Sequence, residues 1–401
     1  MSSRFILYFQ LTVWLLTVVS LNACSGGEEM PMQVVDVSDA EDCPVYDLFD
    51  SLEVISLDAR LEASVGPFPR LKDCQDYFII EKEKNFFIFE KNGAFVSSTK
   101  RIQGHGKGEA SSMIGCSYNP YSKQVEILTF GQMLKYDIHL NYISKHPLPC
   151  DMGDAKDLNR NAGEWFQYIY DLSATKHLLL PSKGLSNDRT VFCYDSKANQ
   201  ITGLIGVEEV ICSYASWQND CFFRDGSITY LIPPYIMNQV NRLDAKSQQL
   251  VPCVQWDFGK NTLTRGHLKP YTSKDYLENQ KRVFNYLFFD CDKHYPILQA
   301  ITGHKLFALV HDSEKIENWY LAEVDLTTFG VRRLALTDGE GVSFPMDFSA
   351  ANGYVYGLEV DEQRVANAIK AFRYPDRIKY SGQSDTLDLS NAVILKYKVK
   401  K

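Results

Sequence analysis

The stretch DYFIIEKEKNFFIFEKNGAFVSSTKR, residues 76–101, sets a pattern that the rest of the chain repeats. Two runs rich in Phe and Ile are followed by a turn at Asn92-Gly93 and then by a third run. Aromatic and β-branched residues favour strands, and an Asn-Gly pair between two such runs is a strong signal of a β-hairpin. The stretch therefore predicts consecutive antiparallel strands joined by tight turns.

Similar groups of short apolar runs and turn residues recur along the chain. Four-strand units are predicted over 113–148, 165–206, 220–259 and 296–338, and a sixth unit over 344–400 has only three strands. A repeat of roughly 40 to 45 residues with four strands is the scale of one propeller blade. The sequence therefore predicts an all-β fold, a six-bladed β-propeller.

The ends of the chain supply the means of closing the ring. The last unit lacks its fourth strand, whereas DSLEVISLDA (50–59) is a strand-like run that belongs to no unit. An open ring would leave exposed sheet edges, which propellers avoid. We predict that this N-terminal strand pairs with the C-terminal blade and brings Val54 close to Leu395.

The N-terminus has the features of an export signal. Arg4 precedes a long apolar run, which is the order of a secretory signal peptide. Leu21-Asn22-Ala23-Cys24 is similar to the lipobox of bacterial lipoproteins, with Cys24 as the lipidated residue. A single transmembrane anchor is the alternative, but the run is shorter than the roughly 20 residues that spanning requires.

These features predict a signal peptide over 1–23, a lipidated acidic tether over 24–48 and the propeller domain over 49–401. The expected location is the cell envelope, with a lipid anchor in a bacterial membrane. The outer membrane is favoured over the inner one, and the sequence leaves open whether the domain is periplasmic or on the surface.

Composition narrows the function classes. The chain has 50 acidic and 42 basic residues and a formal charge of −8, which argues against nucleic acid as a partner because such binding depends on cationic surfaces. Besides Cys24 there are nine cysteines, with no C-x-x-C pair, so zinc-finger and thioredoxin motifs are absent. Cys212 and Cys221 are one candidate disulfide pair in an oxidising compartment.

Several local motifs extend over nearly all of the mature chain: VISLDA (54–59), QGHGKGEASS (103–112), VQWDFGKNTL (254–263) and NAVILKYKVK (391–400). With these motifs the chain resembles the six-bladed β-propeller lipoproteins of gut-type diderm bacteria, which are related in shape to NHL-repeat propellers. The resemblance implies the fold and the envelope location. It implies no reaction and no catalytic residue.

The lengths of the connections distinguish the two faces of the predicted propeller. The turns between first and second strands and between third and fourth strands are short and define a short-turn face. The connections between blades and between second and third strands include long excursions and define a long-loop face: 102–112, 151–164, 183–189, 207–219, 260–295, 313–318 and 361–391. Binding groups are usually carried on loops of a rigid scaffold, so we expect the long-loop face to be the working face.

Candidate binding residues on or beside this face are aromatic rings that could stack on a ligand, together with nearby cationic or imidazole groups: His105, Trp165, Trp217, Arg265, His267 and Trp319. Packing between blades is the commoner use of such rings. Two stretches, 273–289 and 362–372, have apolar residues at helical spacing and are expected to pack on the propeller rim.

Sequence motifs for catalysis are absent. Lys107 is followed by Gly108, so the glycine-rich turn at 104–109 does not match a phosphate-binding P-loop. There is no H-E-x-x-H pair and no G-x-S-x-G elbow. We expect no catalytic residue, no protein-bound metal and no cofactor.

The favoured function is a membrane-tethered module that binds a protein, a peptide or a glycan through the long-loop face. The alternative is a propeller hydrolase or lyase with a metal in the central channel. A structural role in an envelope complex is a third.

Overall fold

The computed structural model describes residues 32–37, 40–60, 63–65, 70–148, 166–181, 190–206, 210–212, 217–218, 220–244, 249–272, 276–312, 318–336, 344–382 and 391–401. Within these ranges the strands form six sheets, which are the six blades of the predicted propeller.

The first three blades each contain four antiparallel strands. Their strands are β4 (Arg70–Cys74), β5 (Tyr77–Lys82), β6 (Asn85–Glu90) and β7 (Phe95–Ser98) in blade 1; β8 (Met113–Asn119), β9 (Gln124–Thr129), β10 (Gln132–Tyr136) and β11 (Tyr142–Pro147) in blade 2; and β12 (Phe166–Asp171), β13 (Lys176–Pro181), β14 (Thr190–Asp195) and β15 (Gln200–Gly206) in blade 3.

The other three blades each contain five strands, because segments from elsewhere in the chain are added at their outer edges. Their strands are β16 (Phe222–Asp225), β17 (Ile228–Leu231), β18 (Gln239–Asp244), β19 (Gln249–Asp257) and β1 (Gln33–Asp36) in blade 4; β20 (Tyr295–Thr302), β21 (Lys305–His311), β22 (Tyr320–Asp325), β23 (Val331–Ala335) and β2 (Glu41–Asp42) in blade 5; and β24 (Phe348–Ala351), β25 (Tyr354–Glu359), β27 (Val393–Val399), β3 (Phe49–Ser56) and β26 (Ile378–Gly382) in blade 6.

The first strands of neighbouring blades contact one another. These contacts show that the first strand of each blade lies nearest the central axis. The faces of the blades are apolar and pack together. For example, Phe78 and Phe89 are fully buried, and the Phe78 ring meets Tyr356 of blade 6 edge to face at 5.5 Å. This packing between sheets accounts for the high aromatic content of the sequence.

The ring closes as predicted. β3 pairs antiparallel with β27, and Val54 lies directly opposite Leu395 in the register. Phe49 stacks on Phe307 of blade 5 and on Phe344, each at 5.6 Å, so the closing strand is also fixed by apolar contacts. Closure by pairing of the two ends of the chain is confirmed.

The segment before the closing strand differs from a free tether. β1 pairs parallel with β19 of blade 4, and β2 pairs parallel with β23 of blade 5. Val35 is fully buried, and Asp42 forms a 2.6 Å ion pair with Arg333. β1 and β2 therefore lie along the outer edges of two blades. We call these two strands the N-terminal strap. The predicted signal peptide and Cys24 lie outside the described residues.

The described part of the chain contains four α-helices outside the sheets: α1 (Val45–Leu48), α2 (Arg265–Leu268), α3 (Tyr276–Asn285) and α4 (Glu362–Phe372). α3 and α4 confirm the two helical stretches predicted on the long-loop face. Asp361 caps α4 by accepting from the Arg364 N–H, and Val365 and Phe372 are buried against the propeller. Among the described helices, none combines the length and the apolar character that a membrane span needs.

No disulfide joins the described cysteines, so the candidate pair Cys212 and Cys221 is not bridged. Cys221 is fully buried among the apolar side chains of blades 3 and 4, and Cys212 is buried as well. Both thiols fill space in the core, as small apolar side chains do.

Candidate functional site

Two of the predicted binding residues come together on the long-loop face. The Trp217 and Trp319 rings lie 5.4 Å apart, and Trp217 also stacks on Phe288 at 5.9 Å. Phe288 in turn lies 4.5 Å from Phe284. The result is a run of rings that begins at the buried Trp319 and continues outward through the half-buried Trp217 and Phe288.

The outer end of this run is exposed. Phe284 is 42% exposed and Phe289 is 60% exposed, and they lie at the end of α3 and in the π-helical turn Tyr286–Asp290 that follows it. We call Trp217, Phe284, Phe288 and Phe289 the aromatic ledge. Large exposed apolar side chains placed next to one another are uncommon on a monomer and indicate contact surfaces.

The inner end of the run meets a buried histidine. His311 lies 4.7 Å from the Tyr295 ring and 5.0 Å from Trp319, and it is fully buried. Burial lowers the pKa of His311 to about 4, so the imidazole is neutral at physiological pH. It is therefore a core residue of blade 5 and not a group exposed in a loop.

The remaining predicted binding residues do not join the ledge. His105 is exposed in the turn between blades 1 and 2. Arg265 is exposed on α2 and donates from Nε to the Val210 carbonyl, and His267 accepts from the Thr264 N–H at 3.0 Å. These last two contacts fix α2 in place. Trp165 lies outside the described residues.

A cavity lies at the opposite end of the channel, on the short-turn face. Its volume is about 140 Å³, and it is lined mainly by the inner strands of blades 1, 2, 3, 4 and 6 and the turns that follow them. We call it the mouth cavity. Charged and aromatic side chains face it: Lys72, Asp73, Tyr118, Asp171, Asp220 and Arg224. The loop-length argument did not predict a cavity on this face.

Lys72 occupies a central position in the mouth cavity. Its Nζ donates to the Ile169 carbonyl at 3.2 Å, so the side chain reaches from blade 1 to blade 3. Burial alone would lower the pKa of Lys72, but the charges of Asp220 and Asp171 outweigh burial and hold the pKa above its usual value. The ammonium group is therefore positively charged inside the channel.

Four charged side chains meet behind the cavity wall, between blades 2 and 3: Glu126, Lys135, Asp171 and His177. We call them the interblade cluster. The Lys135 ammonium lies 2.8 Å from Glu126 Oε1, and His177 Nδ1 lies 2.8 Å from Asp171 Oδ1 and 3.2 Å from Glu126 Oε2. Ser117 donates to the other Asp171 oxygen at 3.2 Å.

Burial and mutual charge shift the pKa values within the interblade cluster. For His177, burial opposes protonation, but the two carboxylates outweigh it and raise the pKa to about 9. For Asp171, burial and the neighbouring Glu126 raise the pKa to about 6. For Glu126, burial is outweighed by His177 and Lys135, so the pKa lies below its usual value.

The interblade cluster contains three donor groups that lie close enough to share a metal ion, namely Glu126, Asp171 and His177, with all donor atoms within 4.8 Å of one another. Two features make an ion unnecessary there. Lys135 already contacts one Glu126 oxygen, and a protonated His177 lies between the carboxylates. Two carboxylates and two cations balance, so the cluster is a closed ionic network that joins two blades.

Sequence reasoning missed both the mouth cavity and the interblade cluster. A signal for the cluster exists, because Glu126 in VEILTF and His177 in KHLLLP are polar residues inside apolar strands. Such residues are buried only when they are paired. The sequence signal for the mouth cavity is weaker. The strand RLKDC that carries Lys72 is rich in charged residues and resembles a loop.

Solved structures with similar folds come from the genus Bacteroides. A Bacteroides fragilis protein described as exported is 14% identical, with 92% of this chain and 100% of that chain covered and a TM-score of 0.65. A member of the DUF4221 family from Bacteroides vulgatus is 8% identical, with 88% and 98% covered and a TM-score of 0.51. At these identities the likeness concerns the fold alone. No curated protein sequence matches the chain.

A family model described as a 6-bladed beta-propeller matches residues 23–314, which is well over half of the chain. The match agrees with the six sheets, their order and the closure of the ring. The chain belongs to the 6-bladed beta-propeller family DUF5128.

Proposed function

We propose that this protein is a lipid-anchored propeller of the cell envelope that binds a protein or peptide partner through the aromatic ledge on its long-loop face. The lipobox-like sequence ending at Cys24 supports the anchor, and the exported relative from Bacteroides fragilis supports a location outside the cytoplasm. Lipidation at Cys24 together with the membrane would hold the domain at the envelope.

The observation that carries the proposal is the exposure of Phe284 and Phe289 beside half-buried rings. Exposed polar residues, three of them charged, neighbour the two rings in the chain: Lys281, Arg282, Asn285 and Asp290. An aromatic centre with a charged rim is the usual composition of a protein–protein contact. Phe284, Phe288 and Phe289 lie in the segment that connects blades 4 and 5, and far fewer residues would suffice for that connection.

Photo-crosslinking in cells tests this function. A photoreactive phenylalanine analogue at position 289 of the full chain is expected to give one discrete protein adduct, which Phe284→Ser reduces. The matched control is the same analogue at Tyr380, an exposed aromatic on the outer edge of blade 6, which should give no such adduct. An adduct of equal yield from both positions, or selective binding of a glycan with no protein adduct, would refute the protein-partner proposal.

Metal analysis separates this function from the metal-dependent hydrolase or lyase. The closed charge balance of the interblade cluster predicts less than stoichiometric Zn²⁺ or Ca²⁺ in the purified full chain. A tightly held ion at one equivalent, lost in Glu126→Gln, would favour the enzyme.

A further inference from the structure

The mouth cavity lies on the face opposite the aromatic ledge, and the proposed function makes no use of it. About 140 Å³ of space lies against the inner strands, and a second cavity of about 40 Å³ is lined by residues of blades 1, 2 and 3. Lys72 lines both cavities, so its side chain stands between them. A cavity of about 150 Å³ accommodates a group of benzene size, so the outer space holds the charged end of a small ligand while the rest of the ligand extends into the open mouth.

The charges of the mouth cavity are not balanced. Asp73 is neutralised by Lys91, whose ammonium lies 2.7 Å away, and Asp171 is neutralised within the interblade cluster. Lys72 and Arg224 remain, with Asp220 as the carboxylate available to offset them. The cavity therefore carries an excess of one positive charge.

The hydrogen bonds of Lys72 and Arg224 also indicate that the cavity can bind an anion. Lys72 donates to a main-chain carbonyl, and Arg224 donates to the Tyr121 hydroxyl at 2.9 Å and to the Gly226 carbonyl at 3.3 Å. Among the described residues these acceptors are all neutral. A carboxylate would form charge-assisted hydrogen bonds, which are roughly twice as strong as neutral ones.

The side chains that line the mouth cavity favour a ligand with both an apolar surface and hydroxyl groups. The Tyr170 ring stacks on Phe222 at 5.5 Å, which offers a flat surface, and Tyr118 lies beside them. Hydroxyl and amide groups of Ser117, Gln75 and Asn352 also line the space. Aromatic surfaces with a few convergent polar groups are the usual construction of a small-molecule site.

We propose that the mouth cavity binds a small hydroxylated carboxylate, of the size of one sugar acid, whose carboxylate is held by Lys72 and Arg224. This site is separate from the aromatic ledge, so a ligand here and a partner there occupy opposite faces of the propeller.

Isothermal titration calorimetry of the purified full chain in detergent tests the site, with galacturonate as the probe and galactose as its neutral counterpart. We expect galacturonate to bind at least about tenfold more tightly than galactose, and acetate to compete with it. Lys72→Met and Arg224→Gln should each weaken galacturonate binding by about tenfold or more. Lys398→Met is the matched control, because this exposed lysine on β27 of blade 6 does not line the cavity, and it should have no effect.

Equal affinity for galacturonate and galactose, or no binding of galacturonate at 10 mM or so, would overturn the proposal. Lys72 is half-buried and joins blade 1 to blade 3, so thermal unfolding of both variants is measured first. Should Lys72→Met unfold, the exposed Arg224→Gln decides the outcome alone. Phe284→Ser should leave galacturonate binding unchanged, which separates failure of this site from failure of the ledge.

Discussion

His177 should make the stability of this protein fall as the pH rises above neutrality. Its pKa is raised from 6.5 to about 9 in the folded state because Asp171 and Glu126 favour the protonated ring. Protonation therefore stabilises the folded state fully below pH 6.5, and this contribution is lost as the pH rises through 9. His177 is fully buried, so solvent screens these interactions little.

The magnitude follows from proton linkage. Between pH 6.5 and 8.5 the unfolded ring loses most of its proton while the folded ring keeps most of it. The difference amounts to about 2 kcal/mol of unfolding free energy at 1.36 kcal/mol per pKa unit. The cysteines with raised pKa values contribute only at higher pH, which is why the range ends at 8.5.

Urea denaturation at several pH values measures this loss. The native protein should lose about 2 kcal/mol more over the range than His177→Gln loses, because the buried Glu359, whose pKa is raised to about 7, contributes equally to both proteins. An NMR titration of the His177 ring supplies an independent value of the pKa. The same slope for the native protein and the variant, or a measured pKa at or below 6.5, would refute the reasoning.

Three further substitutions test the packing and the network. Glu126→Gln should cost about 3–5 kcal/mol by urea denaturation because it leaves the buried Lys135 without its carboxylate, and adding Lys135→Met should recover part of the loss. Gly357→Ala should cost about 1–3 kcal/mol because its Cβ would lie 2.2 Å from a packed proline ring, whereas Gly330→Ala should be near neutral in the same urea assay. Leu395→Ala should cost about 2–5 kcal/mol because this fully buried side chain belongs to the strand that closes the ring, and an unchanged melting temperature would contradict that role.

The repeat, the closure and both long-loop helices could be predicted from the sequence because each depends on a local apolar pattern that burial requires. Phe78 and Phe89, for instance, lie in strands whose polar residues are found only at the ends, and this pattern indicates a buried sheet. Trp217 of the ledge and the buried Trp319 that it contacts were also named from the sequence.

The remaining features depend on contacts between distant segments. Lys72 lies in a strand that contains several charged residues, which the polar channel accommodates. The sequence of this strand therefore lacks the apolar pattern by which strands are predicted. β1 and β2 contain Asp36, Glu41 and Asp42, which read as a solvated tether. An added strand at an outer edge has solvent beside it, so the sequence shows little apolar periodicity there.

The N-terminal strap and the closing strand have a consequence for the order of folding. Their partners β19, β23 and β27 lie far along the chain from β1, β2 and β3. During synthesis these early strands must therefore remain unpaired until their distant partners have been produced. Pairings between segments so far apart in sequence form slowly, so three of the six blades acquire their outer strands late in folding.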